Sequence, residues 1–229
     1  MFKSINIVYL LLLIIILLYF VIIKNKKETF KNNKKLLFIH IPKTGGTYIE
    51  KTLKKNGYNV GTYSNLNKSE NNCSHWHTPP KYNKNINFKD YITFTVVRNP
   101  YTRFISEYNW GSFGHHYKYL NTKCDINTFA KNLKDPNKII YDGDCHLLKQ
   151  EEYLIDYYGN KIENILYQES LNDDLKKFIN KYNLNIKNIN NKKLQVKKNN
   201  KNINNLNNSS KNILKKYYEN DFKILNYKC

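Results

Sequence analysis

Lys43-Thr44-Gly45-Gly46-Thr47 follows the apolar run Leu36-Leu37-Phe38-Ile39-His40-Ile41-Pro42 and precedes a helix-like pattern that begins at Tyr48. These residue types at this spacing suit an anion. Glycines let the backbone turn tightly and approach a ligand. The first N–H groups of the following helix carry the positive end of its macrodipole. Lys43 adds a full charge, and Thr44 and Thr47 add hydroxyls. A second cluster, Arg98-Asn99-Pro100-Tyr101-Thr102-Arg103, follows a β-rich run ending at Val97, and Ser106 lies two turns along the helix that Pro100 opens. An arginine fork and a serine hydroxyl can meet on one phosphate. Between the clusters stands His75-Trp76-His77. In an extended segment the two imidazoles face the same side, and imidazole accepts a proton near neutral pH.

A scaffold must bring these groups together. The pattern predicts strands over Leu36–Ile41, Tyr91–Val97 and Asn164–Tyr167. It predicts helices over Thr47–Lys55 (ended by Asn56-Gly57), Pro100–Asn109, Asn127–Leu133, His146–Tyr158 and Asp173–Tyr182. Residues 183–208, rich in Asn and Lys, read as a solvated loop, and a last helix over Lys211–Leu225 has Ser209 or Ser210 as its cap. Strands alternating with helices imply an α/β fold: a P-loop-like parallel sheet flanked by helices, with ligands at the carboxyl ends of the strands. Lys43 and Arg98 both fall at such ends.

The order of the first motif excludes the usual nucleotide-hydrolysing loop, in which the lysine follows the glycines. The four cysteines, Cys73, Cys124, Cys145 and Cys229, have no metal-ligand spacing, so neither a zinc site nor any other metal is expected. The net charge of +20 attracts polyanions, although the usual nucleic-acid-binding signatures are absent and no nucleic acid is expected.

From Ile7 to Ile23 no charged residue occurs, which is at the lower limit for crossing a bilayer. Residues 1–23 are therefore expected to form a short tip and a transmembrane signal anchor, 24–35 a basic stalk, and 36–229 the functional domain. Lys24, Lys26 and Lys27 after the span, against Lys3 before it, favour a cytoplasmic body. Sequons at Asn67, Asn72, Asn207 and Asn208 are available for glycosylation if the body is lumenal.

The pairing of P-K-T-G-G-T with R-N-P-Y-x-R-x-x-S-x-Y resembles the membrane-bound carbohydrate sulfotransferases, particularly the heparan sulfate 2-O and 6-O type. The resemblance extends through His146–Gln150, through Glu169 with Leu171 and Asp174, and through Tyr217–Tyr227, so it covers residues 36–227. It implies that Lys43, Thr44, Gly45, Gly46 and Thr47 hold the 5′-phosphosulfate of 3′-phosphoadenosine 5′-phosphosulfate (PAPS), and that Arg98 and Ser106 hold its 3′-phosphate. It also implies that His77, or else His75, is the catalytic base, that Lys43 assists at the transferring group, that the acceptor is a hydroxyl, most readily of an acidic glycan, and that the body lies in the Golgi lumen. This last point is opposite to what the flanking charges suggest. In a lumenal body one or two disulfides are expected, with the pairing open. Two rival readings remain from the residues alone: a small-molecule kinase, and a membrane-anchored polyanion binder with the same fold but no chemistry.

Overall fold

Three strands lie side by side in the order β1 (Lys35–Ile39), β2 (Tyr91–Val97), β3 (Asn164–Tyr167). β2 and β3 are parallel, with Phe94 opposite Asn164 and Val97 opposite Tyr167. The structure, a computed structural model, describes residues 9–22, 35–58, 73–74, 76–110, 124–134, 143–187, 189 and 200–228. It divides into two units, Met1–Lys35 and Leu36–Cys229.

In the first unit a helix, α1, covers 9–22 with every side chain exposed. At 1.5 Å per residue it is about 21 Å long, against about 30 Å of bilayer hydrocarbon. Among the described residues no helix is long and apolar enough to cross a membrane. Both ends of the expected span, and most of the expected stalk, lie outside the described residues.

In the second unit each strand is followed by a helix. These are α2 (Gly46–Lys55), α3 (Pro100–Trp110) and α5 (Leu171–Lys181), with α4 (Ile126–Lys131) between α3 and β3. Two-residue alternation sends Leu36, Phe38, Ile92, Phe94, Val96 and Leu166 to one face, where they pack with Ile49 and Leu53 of α2 and Leu175, Phe178 and Ile179 of α5. Leu37, Ile39 and Val97 face the other way, against Leu148, Tyr153 and Leu225. The sheet is thus covered on both sides, as a parallel sheet requires. A third core joins α3 and α4 to the C-terminal helices through Phe104, Phe129, Leu214, Tyr218 and Phe222.

Two expected helices take a different form. Residues 143–148 are turns, and only Gln150–Tyr153 coil, as a 3₁₀ helix. The segment is held by partners elsewhere in the fold: Asp221 accepts from the N–H groups of Gln150 (2.9 Å) and Glu151 (2.8 Å), and the Tyr218 hydroxyl donates to Leu147 O (2.8 Å). Those same contacts explain the second difference. The expected single C-terminal helix is two, α6 (Asn208–Tyr217) and α7 (Glu219–Ile224), and the break at Tyr218 accompanies these tertiary bonds. The cap of α6 is Asn207, whose side chain accepts from the Ser210 N–H, and not a serine. Most of the central part of the expected 183–208 loop lies outside the described residues; Ile203–Asn205 within it forms a 3₁₀ turn.

Phe94 is fully buried, with its ring 4.5 Å from Phe178 and 5.0 Å from Phe38. Phe94→Ala is expected to destabilise the fold by about 3–5 kcal/mol, read from the shift in a urea-denaturation midpoint. A loss below about 1 kcal/mol would contradict this packing.

Candidate functional site

β1 ends at Ile39, and the next residues are shaped by steric need. Lys43 itself adopts φ 67°, a left-handed conformation uncommon outside glycine and costly enough to need support. Gly45, at φ 103°, is the N-cap of α2, and no side chain caps that helix end. Gly46 opens the helix against the His40 ring: a Cβ there would lie 2.5 Å from His40 Cδ2. The Thr44 hydroxyl donates to Ile41 O at 2.9 Å, so it braces the turn. Thr47 is exposed at the first helical turn.

Arg98 follows β2. Its backbone is paired with the Gln150 amide, which accepts from Arg98 N (2.9 Å) and donates to Arg98 O (2.8 Å). Its guanidinium donates to Thr102 Oγ1 (3.0 Å) and to Lys43 O (3.3 Å), so the two strand ends are tied to each other. Burial lowers the Arg98 pKa, opposed by Glu169. Asn99 caps α3 by accepting from Tyr101 N at 3.0 Å, and its own N–H donates to Glu169 (2.8 Å), which also accepts from the Tyr227 hydroxyl (2.9 Å). Ser106 is half-buried on α3.

Lys43 is 7% exposed. Its Nζ lies 4.2 Å from the Trp110 ring centroid and 3.9 Å from Glu107. Burial lowers its pKa to about 8; Glu107 opposes this, while Arg98 and Arg103 add to it. Glu107 also holds the Nδ1 of His146 at 2.8 Å. The His77 ring stands 4.8 Å from His146 and 5.2 Å from His40, and its own Nδ1 is 2.7 Å from Asp144. His40 in turn is 2.8 Å from Glu50. Three imidazoles thus gather beside the loop, each braced by one carboxylate. Burial lowers His77 to about 4, against the opposing pull of Asp144. It is therefore neutral near pH 7 and able to take a proton.

The structure brings Lys43, Gly45, Gly46, Arg98 and His77 into one connected network. His75 lies outside the described residues, as do His115 and His116. One ligand atom each from His77, Asp144 and His146 lie within 4.8 Å of one another. The Asp144 carboxylate of this cluster accepts from the Ser74 N–H and hydroxyl and meets His77 Nδ1. A cleft of about 900 Å³ bordered by Lys149, Lys216 and Tyr217 lies beside α6 and includes none of these groups.

Sequence reasoning missed Arg103, Glu107, His40, Asp144 and His146 as site components. Arg103 and Glu107 carried a usable signal, two ionisable residues one turn apart on a helix that otherwise buries Phe104, Ile105 and Tyr108. Asp144 carried none, because its role depends on a fold-back across 70 residues.

Comparison with known families matches residues 28–228 to the model of the sulfotransferase family. The chain belongs to that family. No curated protein and no solved structure matches it.

A lysine whose folded pKa is lowered stays charged at neutral pH and loses its charge as pH rises through that value. The affinity for adenosine 3′,5′-bisphosphate is therefore expected to fall above about pH 8. Lys43→Arg, which stays cationic, should abolish that fall. Calorimetric titration between about pH 6.5 and 9.5 checks this, and an affinity flat across the range in the unaltered protein would remove Lys43 from the anion site.

Proposed function

We propose that this protein transfers a sulfuryl group from PAPS to an acceptor hydroxyl, with an acidic glycan as the acceptor. The observation that carries the reading is the Arg98–Lys43 O bond, which joins a lysine–glycine turn to an arginine strand end beside a neutral, buried His77. Membership of the sulfotransferase family supports sulfuryl transfer in general.

In this mechanism Lys43 and the N–H groups at the start of α2 face the 5′-phosphosulfate. Arg98 and Ser106 face the 3′-phosphate. The acceptor oxygen attacks sulfur as its proton passes to His77. The bond from sulfur to the phosphate oxygen breaks, and adenosine 3′,5′-bisphosphate departs with the electron pair. Negative charge moves from the acceptor toward the leaving oxygen, and preorganised donors act most strongly where such charge develops. The imidazolium formed on His77 is stabilised by Asp144, which is itself held to about 2: burial would raise it, but the bonds from His77 and Ser74 outweigh that.

The acidic-glycan reading is supported by the net charge of +20 and by the cleft where Lys149 and Lys216 flank Tyr217. Cations beside an aromatic face suit an anionic sugar. The Cys73–Cys145 disulfide supports a body in an oxidising compartment such as the Golgi lumen. With it goes an anchor formed by the apolar segment from Ile7 to Ile23.

The test is a thermal shift on the full chain with adenosine 3′,5′-bisphosphate, set against ATP with magnesium. Stabilisation by the bisphosphate alone, lost in Arg98→Ala, is expected. Lys43→Ala and His77→Ala should each lower sulfuryl transfer by about 100-fold or more, and His77→Ala should still bind the bisphosphate. Stabilisation by ATP with magnesium instead would point to a kinase. Full activity in either variant would sink the assigned role.

A further inference from the structure

Two segments that are far apart in sequence meet at His77, and they meet in register. Cys73 is joined to Cys145 by a disulfide across 72 residues, with Cα atoms 5.6 Å apart. The residues next to them, Ser74 and Asp144, are bonded to each other twice, the Ser74 N–H and hydroxyl both donating to the Asp144 carboxylate. Ser74 O then accepts from the N–H groups of His77 (2.9 Å) and Thr78 (3.1 Å). The Tyr153 hydroxyl, fully buried, lies 2.9 Å from His77 O and 3.4 Å from Cys145 O, straddling the same two segments. The backbone on the Asp144 side is wound the unfavourable way: Gly143, Asp144 and Cys145 have φ values of 64°, 58° and 63°. Successive left-handed residues are costly for side-chain-bearing positions and persist only where their surroundings hold them.

We propose that the Cys73–Cys145 disulfide and Asp144 form one positioning device for His77, in which the disulfide holds a strained turn so that Asp144 fixes the imidazole with Nδ1 protonated and Nε2 free to accept. This rests on the reading of His77 as the base. The Nδ1–H donates to the Asp144 carboxylate, which leaves Nε2 as the acceptor nitrogen, and the carboxylate stays ionised when the ring gains its second proton. His40 and His146, with their partners Glu50 and Glu107, and Lys43 beyond Glu107, are the other titratable groups facing this ring from the packed elements. A cleaved disulfide frees the turn to relax, and Asp144 then leaves the ring. The lysine–glycine loop is built on β1, β2 and Gln150, and Arg103 bonds it at Pro42 O while holding the turn at His146 O and Leu148 O without the disulfide. Loss of the clamp should therefore affect turnover more than donor binding.

The experiment uses the full chain in three forms: oxidised, Asp144→Asn, and Cys73→Ser with Cys145→Ser. Three readouts are taken on each: kcat and the KM for PAPS, the melting shift given by adenosine 3′,5′-bisphosphate, and ¹⁵N spectra of the imidazoles. Asp144→Asn should lower kcat by about 100-fold or more with KM for PAPS and the melting shift retained. Its acid limb should move to lower pH, because the carboxylate raises the His77 pKa. The double serine variant should lose kcat by about tenfold or more with the same retention, and its His77 signal should change from the single Nδ1–H tautomer to a mixture. A kcat within about threefold of the unaltered protein in Asp144→Asn, or an unmoved acid limb together with lost bisphosphate binding, overturns the proposal. The spectra need no activity, so a protein with the fixed tautomer but no sulfuryl transfer would refute the sulfotransferase reading and leave the positioning device standing.

Discussion

One buried guanidinium joins the pieces of this fold. Arg103 is 2% exposed and uses its three kinds of nitrogen on three carbonyls: Nε on Pro42 (2.9 Å), Nη1 on Leu148 (2.8 Å) and Nη2 on His146 (2.9 Å). Removing a charge from water is expensive, and the cost is met only where each donor finds a well-placed acceptor. Here the acceptors are main-chain atoms of the anion loop and of the turn that carries His146. The side chain on α3 therefore fixes the distance between the lysine–glycine loop and the turn that carries His146. Lysine would supply the charge without the fork. Burial lowers the Lys43 and Arg98 pKa values most, and the positive charge of Arg103 lowers both further.

That excess explains the carboxylates. Glu107 meets both Lys43 and His146 and is almost fully buried, and Glu169 sits against the Arg98 side through Asn99. Each partly offsets a neighbouring cation. The lowering of Lys43 to about 8 records the balance, since burial wins over Glu107 but leaves the amine charged at neutral pH.

Much of this was legible in the chain because it is local. The strands Tyr91–Val97 and Asn164–Tyr167 fall where two-residue alternation puts them, and α2 and α3 begin within a residue or two of the turn signals Gly45-Gly46 and Asn99-Pro100. Lys43, Arg98 and His77 stand out as candidates for the same reason, as charged or titratable residues at strand ends or between the strand and helix signals. What escaped was non-local. The 143–148 turn has helix-compatible residues but spends its backbone groups on Arg103, Tyr218 and a disulfide. The split between α6 and α7 arises because Tyr218 and Asp221 bond to that same distant turn. Local propensity cannot report partners that lie 70 residues away.

The C-terminal helices have a consequence for how the protein is made. Asp221 holds Gln150, Gln150 holds both sides of the Arg98 peptide, and Tyr227 holds the glutamate that supports Asn99. The Arg98 strand end is thus set by residues translated more than a hundred positions after it. A nascent chain that has already made β1, β2 and α3 still lacks the bonds that fix Arg98 and Asn99 until Asp221 and Tyr227 have been added. Fixing the Arg98 strand end is a late event in synthesis, and a protein truncated before Asp221 would lose both that support and the Phe222 and Leu225 side chains that pack in the core.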